Sequence, residues 1–273
     1  MDNNAKLRPL YLAKILYERT DEDHYLTTMQ LAQILEEEYG IPAHRQTIKT
    51  DIELLQQFGM DIQEVKSTQN RYNLISRQFE IAELKLLIDA VQSSKFISKE
   101  RSEQMVSKIV TLAGQHKAEE LKRNASVEGR VKSENRQDLL IVDAINEAIN
   151  VRKKIAFQYF AYNIRKQKKL RHDGERYIFS PYRLIWNGDY YYVLGYSDKH
   201  QAIGSFRVDR ISARPDILSE EAVPVPADFG VDDFLATTFR MYGSECQEVE
   251  LICDNSVIDA IIDRFGTDVT IYA

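Results

Sequence analysis

Residues 42–59 read PAHRQTIKTDIELLQQFG, in which Ile48, Ile52 and Leu55 fall at helical spacing with Leu54 and Phe58 beside them. Pro42 precedes this predicted helix and Gly59 closes it. The opposite face carries Arg45, Gln46, Lys49 and Thr50, with His44 at its start. From 44 to 50 there is no acid at all. Such a helix has one side made for a core and one made for water or for a polyanion.

Working outward, residues 27–30 (TTMQ) have the pattern of a capping box opening a helix with Leu31, Ile34 and Leu35 on its apolar face, and Gly40 suits its end. The short glycine-containing connection to the next helix is that of a helix-turn-helix, whose later helix enters the major groove. Residues 6–18 predict a first helix on Leu7, Leu10, Tyr11 and Ile15, with Pro9 tolerable only in its first turn. After Gly59, MDIQEV and RYNLI alternate like two short strands around a polar tip with Lys66 and Arg71 at its ends. Three helices and a hairpin predict a winged helix over residues 1–75. A small helical bundle with a solvated polar face fits the same pattern.

Residues 76–137 predict a helical connector. Ile81, Leu84, Leu87 or Ile88 and Val91 form one stripe, Met105, Val106, Ile109, Val110 and Leu112 a second, and residues 122–137 a polar linker. A short helix with Leu139, Leu140, Val142, Ile145 and Ile149 opens residues 138–217, and KKIAFQYFAY, ERYIFSPYRLIW, DYYYVLGYS and SFRVDRI follow as strands of a small antiparallel barrel. Tyrosines crowd this region, with basic residues spread among them. Alternation in FRVDRI sets Arg207 and Asp209 on one face and Phe206, Val208 and Arg210 on the other, so one arginine is free to be structural, paired to Asp209. Residues 218–273 form an acidic end.

The net charge of −6 hides this division: regional charges run −4, +3, +5 and −10 over residues 1–75, 76–137, 138–217 and 218–273. No signal peptide opens the chain and no stretch reaches the ~20 apolar residues of a membrane span. Cys246 and Cys253 form neither a disulfide framework nor a zinc set. A cytoplasmic protein without a membrane partner is expected. The five histidines have no metal-ligand spacing; His24 beside Asp21, Glu22 and Asp23 reads as a solvated acidic loop rather than a cation site. There is no phosphate-cradling glycine loop and no nucleophile elbow. No catalytic residue, metal or cofactor is expected, and the chain reads as a binding protein rather than an enzyme.

NGDYYYVLGYSDKHQAIGSFRVDRI (187–211) resembles the signature of the WYL-domain regulators, with Tyr191, Tyr192 and Val193 where that family has Trp-Tyr-Leu. Leu194–Tyr196 and Phe206–Ile211 match its later L-G-Y and F-R-x-D-R-I, and Pro181–Leu184 its preceding segment. RQTIKTDIELL (45–55) is similar to the family's recognition helix, with Thr47, Ile48 and Asp51 in place and Lys49 where relatives often have an aromatic residue. The resemblance implies an α+β, multidomain regulator: a winged helix-turn-helix, a helical connector, a small Sm-like antiparallel β-barrel and a C-terminal α/β extension. Residues 246–272 read strand, helix, strand for that extension, which in the family continues further.

Together these readings predict duplex DNA bound by Arg45, Gln46, Thr47, Lys49, Thr50, Lys66 and Arg71. They also predict a nucleotide or single-stranded nucleic-acid effector on Tyr159, Tyr182, Arg183, Tyr191, Tyr192, Arg207 and Arg210. A homodimer is expected, through the connector stripes or the acidic C-terminal segment. An adaptor that binds single-stranded nucleic acid without regulating transcription is the second reading, and a hydrolase of phosphate-containing ligands the third.

Overall fold

A computed structural model describes residues 3–66, 69–123, 132, 137–230, 234 and 250–272. Ser67 and Thr68 of the hairpin tip, most of the expected linker, and Cys246 with its predicted strand start lie outside the described residues. By internal packing the chain separates into residues 1–224 and 225–273.

The first unit opens with α1 (Asn3–Arg19), β1 (Leu26–Thr27), α2 (Thr28–Tyr39), α3 (Arg45–Gln57), β2 (Ile62–Val65) and β3 (Arg71–Leu74). The three strands form an antiparallel sheet ordered β1-β3-β2. Thr27 Oγ accepts from the Gln30 backbone N–H at 3.2 Å while Gln30 Oε1 accepts from that of Thr27 at 2.8 Å, closing the capping box. Gly40 ends α2 in the left-handed region at φ 65°. Leu12, Ile15, Leu16, Leu31, Leu35, Ile48, Ile52, Leu55 and Tyr72 pack into one core. Two apolar faces differ from expectation. Leu7 and Leu10 are exposed, because the buried stripe of α1 is set by Leu12, Ile15 and Leu16; Leu54 and Phe58 are exposed because α3 turns only Ile48, Ile52 and Leu55 inward. Pro9 also lies beyond the first turn of α1, which starts three residues earlier than the apolar pattern suggests. Asp51, buried on α3, accepts from Arg8 of α1 at 2.5 Å.

Helices α4 (Ile81–Ser93), α5 (Lys99–Thr111) and α6 (Gln115–Arg123) bury Leu84, Ile88, Val110, Ala113 and Leu121 among themselves. The two connector stripes therefore largely face each other, leaving Leu86 and Leu87 exposed. Arg77 ties this bundle to α1: its Nη2 donates to the carbonyls of Tyr17 and Thr20, each at 2.7 Å. Nearby, the rings of His24 and His116 stack at 3.7 Å. Asp21 accepts from His24 Nδ1 and from the backbone N–H of Asp23 and His24. Burial raises its pKa, but the His24 hydrogen bond and the two N–H donors more than offset that and hold it below the ordinary carboxylate value. The DED loop is thus a turn closed on buried Asp21 and stacked on α6 through His24, with Glu22, Asp23 and His24 exposed.

Helix α7 (Asp138–Asn150) lays Ile141, Ala144, Ile145 and Ala148 on the second sheet, with Leu140 outside. That sheet comprises β4 (Lys153–Phe157), β7 (Tyr177–Asn187), β8 (Tyr190–Ser197), β9 (Ala202–Arg207) and β10 (Asp216–Glu221), ordered β10-β4-β7-β8-β9 and wholly antiparallel. Between β4 and β7 stands a separate hairpin, β5 (Phe160–Tyr162) with β6 (Lys168–Leu170). The expected barrel is not closed. The two outer strands, β10 and β9, do not pair; past the end of β9 the chain meets the end of β4 through one isolated bridge, Tyr159 with Ile211. Strand β10 extends the sheet to Glu221, beyond the composition change at 217. Phe96 enters this core from the α4–α5 connection, edge-on to Trp186 and Tyr191.

In the second unit the described residues hold α8 (Ile258–Phe265), preceded by a short 3-10 turn. The helix of the expected strand-helix-strand is present. Residues 250–253 and 270–272 form no strand, since no neighbouring strand among the described residues supplies hydrogen bonds to them. No described helix is long and apolar enough to cross a membrane.

Candidate nucleic-acid interface and ligand site

Helix α3, the start of α2 and the β2–β3 hairpin enclose a groove of about 210 Å³. Arg45, Gln46 and Lys49 line it from α3, Thr28 and Met29 from α2, and Gln69 and Asn70 from the hairpin; no carboxylate is among the described lining residues. Local folding explains this convergence. The capped start of α2 is bonded to the hairpin by Thr28 N–H donating to the Asn70 carbonyl at 3.2 Å, and the Arg8–Asp51 pair fixes the rotation of α3. Thr50 is exposed one turn beyond Gln46, and its hydroxyl donates to the Gln46 carbonyl at 3.1 Å. Thr47 is half-buried. Lys49 lies 3.9 Å from Glu53, an exposed pair of little energetic weight. Lys66 is exposed just after β2. Arg71 lies on the Tyr25 ring at 4.3 Å and donates to its hydroxyl at 2.6 Å. Thr28, Met29, Gln69, Asn70 and Tyr25 are not legible as interface residues in the sequence, because they meet there only through the packing of separated segments.

On the large sheet, the register decides which tyrosines share a face. Ile185, Tyr192 and Arg207 are successive cross-strand partners, as are Arg183, Leu194 and Ser205. Residues directly opposite one another point the same way, so Arg183, Tyr192 and Arg207 occupy one face. Tyr191 pairs with Trp186 on the opposite face and packs against Phe96. It belongs to the core side, not with the others. Tyr182 sits at the bulge between Pro181 and Arg183 and donates to the Pro224 carbonyl at 3.2 Å. Gly195 is needed where this bulge presses on β8: a Cβ there would lie 2.2 Å from the Ser180 carbonyl oxygen.

Arg207 is heavily engaged. It donates to both carboxylate oxygens of Asp209 at 3.0 and 2.7 Å, and its guanidinium lies 3.3 Å from the Tyr190 ring centroid. Burial works against its charge, yet the Asp209 and Tyr190 contacts raise its pKa above the ordinary value. Its backbone N–H donates to the Tyr159 hydroxyl at 3.2 Å; burial pushes that phenol up to about 12. The alternation expected through FRVDRI stops at Arg207, because Val208–Arg210 form a 3-10 turn. That turn carries Arg210 to the Tyr162 ring, 5.4 Å from its centroid. Tyr190 was one of three consecutive tyrosines and indistinguishable from its neighbours before the register was known.

A second concavity, of about 350 Å³, lies along the β5–β6 hairpin and the 3-10 turn Arg171–Gly174. Tyr162, Asn163, Lys169, Arg171, His172 and Asp173 line it. Among the described residues no cluster of three or more His, Cys, Asp or Glu side chains is placed to hold a metal ion.

Residues 141–214 match the family model of the WYL domain. Among solved structures, proteasome accessory factor B/C (PafBC) of Arthrobacter aurescens is similar at 16% identity, over 81% of this chain and 34% of that one, with a TM-score of 0.28. The chain thus spans about a third of the length of that protein's chain. No curated protein matches it.

Proposed function

We propose that this chain is a transcription regulator in which α1–α3 and the β2–β3 hairpin act as a winged helix on duplex DNA, and the WYL domain binds a nucleotide or single-stranded nucleic acid. The observation that carries the DNA-binding half is the acid-free groove, to which α3, the hairpin and the start of α2 all contribute. The surrounding region is net acidic, so Arg45, with no ion pair among the described residues, and a lining without a carboxylate among the described residues support phosphate on this side. Helix α3 presents the chemistry for base edges: arginine forks onto guanine and glutamine onto adenine. Lys49, Lys66 and Arg71 suit phosphates, with Tyr25 orienting Arg71.

The WYL match and the tyrosine–arginine content of the domain support the ligand half. The chain acts by binding, without turnover of the ligand. A dimer completes the proposal, since half-sites one helical turn apart suit paired modules. The exposed Leu251, Ile252, Phe265 and Tyr272 of the C-terminal segment offer apolar surface for it. The test is selection of duplexes from a random pool by the purified chain, followed by anisotropy titration of the selected duplex. Sequence-preferring, saturable binding supports the proposal. Retention of single strands with no duplex preference would favour an adaptor instead. Light scattering with the duplex present tests the dimer.

A further inference from the structure

The cations of the WYL domain fall into two groups. Lys153, Lys154, Arg176, Lys199, Arg207 and Arg214 are ion-paired, with Glu221, Asp198, Asp216, Glu175, Asp209 and Glu147 respectively. Arg165, Lys166, Lys168, Lys169, Arg171 and Arg210 have no ion pair among the described residues. Five of these six lie between 165 and 171, on the β5–β6 hairpin and its continuation, and Arg210 reaches the same place through Tyr162. Arg152, in the turn before β4, and Arg183, on β7, also lack an ion pair among the described residues. Two of the six, Lys169 and Arg171, line the 350 Å³ concavity, where Asp173 is the one carboxylate among the described lining residues.

The floor of this concavity is built rather than incidental. His172 and Asp173 are consecutive non-glycine residues in the left-handed region, at φ 48° and 51°. That conformation is costly for ordinary side chains and persists only when the surroundings impose it. Here the Arg171 N–H donates to the Tyr159 carbonyl at 2.8 Å, and Gln158 Nε2 donates to the Gly174 carbonyl at 2.6 Å, holding the turn from both ends. Tyr162, roughly half-exposed at 48%, stands beside it with one ring face toward Arg210.

We infer that this concavity, and not the Arg207 end of β9, is the anion-binding site of the WYL domain: Lys169 and Arg171 hold a phosphate group and Tyr162 stacks the aromatic base attached to it. Arg207 already commits its fork to Asp209 and its face to Tyr190, so its role is to brace the end of β9. The inference rests on the proposed ligand role of the domain and adds to it a location and a chemistry, an organic phosphate bearing a planar ring.

The test uses the full chain and three probes: inorganic phosphate, AMP and a short labelled thymidine strand. Lys169→Ala with Arg171→Ala should weaken AMP or strand binding at least ~tenfold and, for the strand, lower the salt slope by about 0.7 per lost contact. Tyr162→Leu should weaken AMP or the strand while leaving phosphate binding unchanged. Arg207→Lys should lower the melting temperature but keep ligand affinity within about twofold, since lysine cannot reproduce the fork that braces β9. Binding of AMP or of the strand with this dependence supports the site, and the probe that binds names the source of the phosphate. Affinity indifferent to the Lys169/Arg171 change but lost in Arg183→Ala or Arg207→Lys overturns the location and leaves the ligand role standing. If the folded wild-type chain binds none of the probes, the ligand role itself fails.

Discussion

Arg8 and Asp51 join the first and third helices through a largely buried ion pair, with Nε to Oδ2 at 2.5 Å and Nη2 to Oδ1 at 3.3 Å. Asp51 lies one residue beyond Thr50, so the pair sets how α3 is rotated and which side chains reach the groove. Removing one partner strands the other charge in a poorly solvated place. Arg8→Ala should therefore destabilise the chain by about 3 kcal/mol in urea denaturation, and the double replacement with Asp51→Ala should cost less than the separate effects added. A loss below about 1 kcal/mol, the range of an exposed pair, would show that the contact does not set α3.

The clasp between α1 and the connector makes a second prediction. Gly114 has φ +76°, and a Cβ built on it would lie 2.4 Å from Arg77 Nη2. Gly40 has φ +65° with open space around it. Gly40→Ala should cost about 1–2 kcal/mol from backbone conformation alone. Gly114→Ala should cost more, because Arg77 must also leave the Tyr17 and Thr20 carbonyls. Equal melting-temperature shifts would mean that Arg77 relocates freely.

Gly195→Ala tests the large sheet. Its neighbour at 2.2 Å is a backbone carbonyl oxygen, which cannot swing aside as a long side chain can. A loss of at least about 3 kcal/mol is expected, measured by denaturation or seen as failure to accumulate folded protein. A stable Gly195→Ala variant with the wild-type melting temperature would contradict the close approach of β7 and β8.

Tyr159 gives a pH prediction. Its phenol ionises near 12 in the folded chain against about 10 when unfolded, mainly through burial. Between these values the unfolded state has lost the proton that the folded state retains, so stability falls as pH rises from about 10 towards 12. Below about pH 10 the group contributes no pH dependence. Burial also raises Tyr72, Tyr177 and Tyr182, so ultraviolet titration should show several tyrosines ionising late, and Tyr159→Phe should reduce that late amplitude by one tyrosine. Titration of every tyrosine near the ordinary value of about 10 in the folded chain would contradict it.

Legibility in the sequence followed the range of the interactions. The α2 capping box and Gly40 are written in residues three or four apart, and both could be read directly. Strand β1 could not, because Leu26–Thr27 is two residues long and is a strand only by pairing with Arg71 and Tyr72. The strand content of residues 153–211 followed from alternation, but closure into a barrel depends on outer strands that here do not pair. Side chains of Tyr190, Tyr191 and Tyr192 alternate between faces, and only the pairing of β8 with β7 and β9 decides that Tyr191 goes to the core while Tyr192 joins Arg207. The His172–Asp173 turn depends on tertiary hydrogen bonds from Gln158 and Tyr159, which no local pattern announces.

Reading of DNA by α3, from the groove it shares with the hairpin, is open to a direct test. The direct measurement is anisotropy titration of a selected duplex and a scrambled one, across salt, with wild type, Arg45→Ala and Lys66→Ala. Arg45→Ala should lose about 1–3 kcal/mol of preference for the selected duplex. Lys66→Ala should weaken both duplexes alike and reduce the salt slope by about one unit. Unchanged affinity and preference in Arg45→Ala would contradict reading by α3.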